Sequence, residues 1–168
     1  MTTATITSQT MVAGMGEICI SADASTTLTC LGIGSCIALS AYDPVARVGG
    51  LAHIVLPEGS EAETGKYPGK YATTAVPALL AQMSKLGAEK QRLVIKLVGG
   101  AQMIQAEGFG QVIQMGARNT DNTHKSLAQA GLRVAAEDVG GASGRSLWLQ
   151  VGTGKVTTKT AYSTPREL

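Results

Sequence analysis

The chain has 168 residues, a formal net charge of +2, 44% hydrophobic residues and only 4% aromatic residues. These values describe one domain that can bury a sizeable core without the help of a disulfide or a metal ion. The near-neutral charge and the scarcity of aromatic side chains exclude the basic surface and the stacking platforms of a typical nucleic-acid-binding protein.

Alternating polar and apolar residues predict strands in the first third of the chain. Four strands are expected there, at residues 17–20, 27–31, 35–42 and 47–56. The last two form a hairpin whose turn, residues 43–46, begins with Asp43 and Pro44. This order favours a type I turn, because proline fixes φ and the Asp carboxylate caps the backbone amides that follow.

The rest of the chain alternates helices with strands and ends in a second hairpin. Helices are predicted at residues 68–86 and 119–130, the second capped by Asn119 or Thr120. Further strands are predicted at residues 93–98, 132–136, 146–151 and 156–162. This order of elements predicts an α/β fold, a single-domain layered sandwich in which helices pack on a mixed β-sheet.

The folded unit is expected to cover residues 11–162, with residues 1–10 and 163–168 as loose tails. No apolar run reaches the length of about 18 residues that a bilayer span requires. The N-terminus has no basic region followed by an apolar stretch, as a secretory signal would. We therefore expect a cytoplasmic protein.

The predicted hairpin places a cysteine opposite a histidine. If the turn is residues 43–46, Tyr42 faces Arg47, and the same register brings Cys36 opposite His53. Directly opposed residues on one face of an antiparallel pair have Cβ atoms roughly 4.5 to 5.5 Å apart. An imidazolium at that distance lowers the pKa of a thiol and makes it a nucleophile, although one β-bulge would displace the pair.

The residues just before Cys36 favour an anion site. Gly32 and Gly34 allow the backbone to turn sharply, so that N–H groups near Gly34 and Ser35 can point to one place. Such donors form an oxyanion hole, in which each donor contributes on the order of 3 kcal/mol of transition-state stabilisation.

Other interpretations of the cysteines stay open. Three cysteines, Cys19, Cys30 and Cys36, cannot all pair within one chain, and free thiols are the default in a reducing compartment. On physical grounds alone, the favoured interpretation of Cys36 is an inert core thiol, with His53 as a hydrogen-bonded strand residue. A metal site formed by Cys30, Cys36 and His53 lacks the short paired spacings of zinc ligands, and a Cys30–Cys36 disulfide would act as a redox switch.

The motif around Cys36 and a series of ordered matches resemble the chemoreceptor glutamine deamidase family CheD. The resemblance covers about residues 16–162, and several correctly spaced motifs are far more specific than one Gly-Ser-Cys sequence. The matching segments are residues 31–36, 42–44, 49–53, 56–57, 69–72, 99–101, 116–119, 137–138, 140–141 and 145.

The resemblance implies a cysteine hydrolase with a mixed α/β fold. It converts glutamine side chains of methyl-accepting chemotaxis receptors to glutamate through a thioester, with Cys36 as nucleophile, His53 as catalytic histidine and no metal or organic cofactor. The expected partner is the cytoplasmic region of those receptors, at the inner face of the membrane, and a CheC-type phosphatase is a second candidate. The family has Thr, thought to orient the histidine, where this chain has Cys30.

The departure at Cys30 keeps a second function open. A thiol is a poorer hydrogen-bond partner than a hydroxyl. A regulatory protein that binds the receptors or a CheC-type phosphatase without turnover is therefore the alternative to a deamidase. Residues 60–69, polar and glycine-containing, are a candidate contact loop for either function.

Overall fold

The computed structural model describes residues 7–102 and 114–168, and their strands form two five-stranded sheets where the sequence predicts one. The first sheet has the order β1 (Gln9–Val12), β3 (Thr26–Ile33), β8 (Arg145–Gln150), β9 (Val156–Thr160) and β10 (Arg166–Glu167). The second sheet has the order β2 (Ile18–Ser21), β5 (Val48–Ile54), β4 (Ile37–Asp43), β6 (Val94–Gly99) and β7 (Val134–Val139). Each sheet is mixed, because β1–β3 and β6–β7 are parallel and the other neighbours are antiparallel.

The helices lie on one face of the second sheet, and the first sheet lies on its other face. The helices are α1 (Glu61–Thr64), α2 (Ala72–Lys85) and α3 (Met115–Gln129). A single 3-10 turn at Lys90–Arg92 follows α2. Helices α2 and α3 contact each other and the second sheet around one apolar core, and a second core fills the space between the sheets. The layered α/β architecture is confirmed, with one sheet more than predicted.

The central strands of the second sheet are buried on both faces because each face meets another layer. All residues of β4 and β5 are buried, as expected for strands enclosed on both sides. Strand β2, at the edge, shows the alternation that assigns each face: Ile18 and Ile20 pack on the helix side, and Cys19 packs against the core between the sheets. No helix in the described part of the chain has both the length and the apolar character needed to cross a bilayer.

Several predicted boundaries are wrong. Both regions predicted as loose tails contain a strand of the first sheet: β1 begins at Gln9 and pairs with β3, and β10 lies at Arg166–Glu167 and pairs with β9. Residues 1–6 of the first predicted tail lie outside the described residues. Helix α3 begins at Met115, so Asn119 is inside the helix and is not its N-cap. The candidate contact loop at residues 60–69 contains α1 with a capping box from Ser60 and Glu63.

Asp43 organises the turn between β4 and β5. Its carboxylate is fully buried and accepts hydrogen bonds from the amides of Val45 and Ala46, as predicted for this turn. It also accepts from the Glu89 amide and binds the Arg92 guanidinium, with an N–O distance of 2.8 Å. Burial raises the pKa of Asp43, but the hydrogen bonds from Arg92 and the amides outweigh burial and hold that pKa well below its usual range.

Replacing Asp43 with Asn is expected to destabilise the fold by about 3 kcal/mol at neutral pH, because it leaves Arg92 without its buried anionic partner. The ionised carboxylate contributes this stability above the pKa of the unfolded state, about 3.9, and loses it as pH falls further towards the lowered folded-state pKa. The difference in the free energy of unfolding between the wild type and the variant, measured with urea, should therefore narrow below about pH 4. Asp121→Asn is the control, because the carboxylate of Asp121 is exposed. A difference in unfolding free energy between wild type and Asp43→Asn that did not change with pH would contradict the prediction.

Candidate active site

The register of the β4–β5 hairpin differs from the predicted one. Asp43 pairs with Val48, so the connecting loop consists of residues 44–47, and His53 pairs with Ala38. The prediction that Cys36 lies directly opposite His53 is therefore wrong. Cys36 immediately precedes β4, two residues before the partner of His53, and becomes its diagonal neighbour. In a regular ladder such neighbours are about 7–8 Å apart, and a shift of two residues keeps both side chains on the same face.

That shared face is the one that meets the first sheet. Cys36 is half-buried and packs against the core between the sheets, which includes Ala38, Leu51 and Cys30. All three cysteines are free thiols. Burial raises the pKa of the Cys36 thiol above its ordinary value, and a hydrogen bond from its own backbone amide acts in the opposite direction. The sequence predicts a thiol pKa lowered by a neighbouring imidazolium, whereas the pKa of Cys36 is raised.

His53 is held by the chain segment that follows β1. The Nδ1 atom of the ring lies 3.0 Å from the carbonyl oxygen of Ala13. The main-chain carbonyl of His53 accepts a hydrogen bond from the Gly16 amide, and the main-chain amide of His53 donates one to the Glu17 carbonyl. A carbonyl oxygen can only accept, so Nδ1 carries a proton and, in the neutral ring, Nε2 is the basic nitrogen.

The protonation state of His53 follows from its burial. Burial lowers the pKa of the imidazole, while the Ala13 carbonyl and the Glu17 carboxylate act in the opposite direction. The imidazole of His53 and the thiol of Cys36 are therefore both uncharged near neutral pH. In that state His53 can accept the thiol proton during attack, as a general base.

Cys30, at the position of the family Thr, binds the same carbonyl group as His53. Its buried thiol donates to the Ala13 oxygen, with an S–O distance of 3.7 Å. Burial raises the pKa of this thiol strongly, and the neighbouring Cys19 and Cys36 raise it further. Cys30 is thus a neutral donor beside His53, and the group that orients the ring is the main-chain carbonyl of Ala13. The adjacent Thr29 donates its hydroxyl to the Leu147 carbonyl instead.

The loop that carries Cys36 is fixed through its carbonyl groups. The carbonyl oxygens of Gly34, Ser35 and Cys36 accept hydrogen bonds from the Ala101 amide, the Asn119 side chain and the Gly100 amide, at 2.9, 2.9 and 2.8 Å. Within residues 7–102 and 114–168, no backbone carbonyl accepts from the amides of Gly34 and Ser35. Among the described residues these amides therefore have no backbone acceptor, as the donors of an oxyanion hole require.

Glycines allow the close approach behind this loop. Gly99 has φ of 121°, and a Cβ atom there would overlap the carbonyl oxygen of Cys36. A Cβ atom at Gly116, in the first turn of α3, would overlap the carbonyl oxygens of Gly100 and Ala101 in the same way. The strand end at Gly99 therefore meets the Cys36 loop at main-chain distance, and the start of α3 meets residues 100 and 101 in the same way, which a side chain at either glycine would prevent.

Three supporting residues were not identified as part of the site from the sequence. Asn119 and Arg145 belong to segments that resemble the family, but they received no role; the buried guanidinium of Arg145 donates to the carbonyl of Gly99 at 2.8 Å. Ala13 contributes only its carbonyl group, for which a sequence carries no signal. In the part of the chain that the structure describes, no three His, Cys, Asp or Glu side chains are arranged to hold a metal ion.

Comparison with known proteins gives a consistent result. The profile of the family described as CheD chemotactic sensory transduction matches residues 55–160, beyond both Cys36 and His53. A protein of Symbiobacterium thermophilum named as a probable chemoreceptor glutamine deamidase CheD is 40% identical over 92% of this chain and 94% of its own length, a stretch too long to omit either residue.

Two further relatives carry the same kind of name. The chemoreceptor glutamine deamidase CheD of Thermotoga maritima is 42% identical over 86% of this chain and 88% of its own length. A protein of Methanococcus vannielii, named as a probable chemoreceptor glutamine deamidase CheD, is 47% identical over 74% of this chain and 79% of its own length. With a family profile that matches most of the chain and relatives that cover nearly all of it, the chain belongs to the CheD family.

Proposed function

We propose that this protein hydrolyses glutamine side chains of methyl-accepting chemotaxis receptors to glutamate and ammonia. One observation carries the proposal: Cys36 and His53 occupy one sheet face, Ala13 fixes Nδ1 of the histidine, and the amides of Gly34 and Ser35, just before Cys36, have no backbone acceptor among the described residues. The names of the relatives supply the substrate class. Protein-glutamine deamidase, an amidohydrolase with a cysteine nucleophile, is the activity that fits both.

The first half of the reaction is acylation of Cys36. The sulfur attacks the carboxamide carbon of the glutamine as its proton passes to Nε2 of His53, which yields a tetrahedral intermediate. The oxyanion accepts hydrogen bonds from the backbone N–H groups at Gly34 to Cys36. The imidazolium then gives its proton to the amide nitrogen, the C–N bond breaks, and ammonia leaves behind a thioester.

The second half hydrolyses this thioester. His53, neutral again, takes a proton from a water molecule, whose oxygen attacks the thioester carbon. The C–S bond breaks, the sulfur recovers the proton from the imidazolium, and the product is a glutamate side chain. One imidazole thus serves both half-reactions, and the reaction as written requires neither a metal ion nor an organic cofactor.

The proposed substrate implies where the protein acts. The glutamines belong to the cytoplasmic region of the receptors, so the protein works in the cytoplasm, at the inner face of the membrane. A CheC-type phosphatase is the second proposed partner. Both proposals rest on the family to which the chain belongs.

Incubation with the cytoplasmic fragment of the cognate receptor tests the function. Peptide mass spectrometry should locate glutamines converted to glutamate, and a coupled assay should detect one ammonia for each conversion. Binding of the same fragment is measured in parallel by calorimetry. Binding without conversion would contradict the deamidase proposal and favour the regulatory protein that the Cys30 position leaves open.

Substitution of Cys30 is expected to have a modest effect. Cys30→Ala removes one weak hydrogen bond to the Ala13 oxygen and leaves the bond from His53, so deamidation should fall by less than about 10-fold. Cys30→Thr supplies a hydroxyl donor for the same oxygen and should match or exceed the wild-type rate. Steady-state ammonia release checks both variants. A loss of about 10³-fold in Cys30→Ala would show that the side chain at this position is indispensable.

A further inference from the structure

Asn119 connects the Cys36 loop to the end of strand β5. Its side chain is completely buried in the first half of α3. The Nδ2 atom donates to the carbonyl oxygen of Ser35 at 2.9 Å and to that of Val55 at 3.0 Å. Ser35 directly precedes Cys36, and Val55 follows His53 by two residues. One amide group therefore ties together the two chain segments that carry the proposed nucleophile and base.

The hydrogen bond to Ser35 also determines where the Cys36 amide points. A peptide unit is planar and trans, so its C=O and N–H groups point in opposite directions. The Ser35 carbonyl points towards Asn119, inside the protein, and the N–H of Cys36 in the same peptide unit must point away from α3. This N–H belongs to the residue that carries the sulfur, and no backbone carbonyl within residues 7–102 and 114–168 accepts from it.

We propose that Asn119 is a positioning residue that aims the Cys36 N–H at the substrate oxygen during acyl transfer. In the tetrahedral intermediate the oxyanion is bonded to the carbon that the sulfur has attacked, so the backbone N–H of the residue that carries the sulfur is a donor within its reach. Rotation of the Ser35–Cys36 peptide unit would withdraw this donor, and Asn119 opposes that rotation. The inference rests on the proposed function and adds the group that orients its oxyanion donor.

The position of Asn119 is itself fixed. Its main-chain carbonyl accepts a hydrogen bond of 2.7 Å from the buried hydroxyl of Thr123, one turn later in α3. One turn earlier, Gly116 packs against the carbonyls of Gly100 and Ala101, whose amides bind the Cys36 loop. The helix therefore contacts residues 100 and 101 at main-chain distance, and these two residues bind the Cys36 loop through their amides. The side-chain Oδ1 of Asn119 is buried and has no hydrogen-bond partner in the described part of the chain, so the side chain is held through its amino group alone.

Two reactions of the same sulfur separate this role from a general structural one. Asn119→Leu keeps a side chain of similar volume and removes both hydrogen bonds, and Asn119→Ala removes them with a smaller side chain. Deamidation of the receptor fragment should fall in kcat by about 10- to 100-fold, with KM changed by less than about threefold. Alkylation of Cys36 by iodoacetamide, a displacement that creates no oxyanion, should keep its rate and its pH profile within about threefold.

Two controls remove hydrogen bonds that do not involve Asn119. Asn122→Ala removes a side-chain amide of the same helix that donates to the Arg118 carbonyl at 3.0 Å, and it should leave both reactions unchanged. Ser40→Ala removes the hydrogen bond from a buried hydroxyl of β4 to the Lys96 carbonyl, so it reports the effect of lost stability, which thermal unfolding measures for every variant.

Each result has one interpretation. A fall in kcat with unchanged alkylation in either Asn119 variant supports the inference. An unchanged kcat overturns it, and so does an equal loss of deamidation and alkylation, or a loss reproduced by Ser40→Ala, because Asn119 would then act through the nucleophile or the fold. A wild-type protein that releases no ammonia would overturn the proposed function, and the inference with it.

Discussion

Cys36→Ala is expected to lower the rate of deamidation by a factor on the order of 10⁴ or more, which is the scale of loss when an enzyme that forms a covalent intermediate loses its nucleophile. No other described thiol can replace it in the proposed site: Cys30 is buried with a strongly raised pKa, and Cys19 lies on the edge strand β2 with a pKa also raised by burial. Ammonia release and the conversion of individual glutamines, followed by mass spectrometry, measure the effect.

Cys19→Ala is the matched control for this substitution. Cys19 packs against the same core between the sheets as Cys36 and is likewise half-buried. Its loss should change stability as much as the loss of a thiol at Cys36 and leave the rate within about threefold. Conversion that persists in Cys36→Ala, or disappears in Cys19→Ala, would refute the assignment of the nucleophile.

His53→Gln is expected to reduce kcat by about 10²- to 10⁴-fold, the range for loss of a general acid–base group. Glutamine keeps a polar side chain that can donate to the Ala13 carbonyl, but it can neither take the thiol proton nor protonate the leaving ammonia. Binding of the receptor fragment should be retained, so calorimetry and kinetics together distinguish lost chemistry from lost docking. The control is His124→Gln, since His124 lies on the surface of α3 and pairs with Glu137 at 2.7 Å.

The pH profile of the wild type provides a second measure of His53. Below its pKa the imidazole is protonated and cannot accept the thiol proton, so activity falls on the acid side. Because burial lowers this pKa from its ordinary value of 6.5, the acid limb of kcat/KM should lie below pH 6.5, and it should disappear in His53→Gln. An acid limb above pH 6.5 would contradict the buried, neutral imidazole.

Local patterns predicted most elements of the fold but not how the strands are shared between sheets. Strand and turn patterns identified β2 to β9 to within a few residues, and the predicted helix ends at residues 86 and 130 lie directly before Gly87 and Gly131, both of which have positive φ. Alternation shows that one face of a strand is buried, and it does not show which layer buries it. The two edge strands β1 and β10 have only four and two residues, and such short polar segments read as tails.

The candidate site was predicted in part. Resemblance to the family identified Cys36 and His53, and the hairpin brought them to one face, but the register was wrong. The reason is Asp43. Its carboxylate accepts from the amides of Val45 and Ala46, as a turn residue does, but Asp43 itself still pairs with Val48 in the ladder. Asn119 looked like a helix cap because Asn favours that position, and its actual contacts with Ser35 and Val55 join segments distant in sequence.

The acceptor that holds the His53 ring belongs to the main chain of residue 13, and this has a consequence for how the family can diverge. Every amino acid supplies a carbonyl oxygen, so no point substitution at residue 13 deletes the acceptor itself, provided that the pairing of β1 with β3 keeps its place. The tautomer of the imidazole therefore depends on the backbone path at residue 13, and not on whether residue 30 carries a hydroxyl or a thiol.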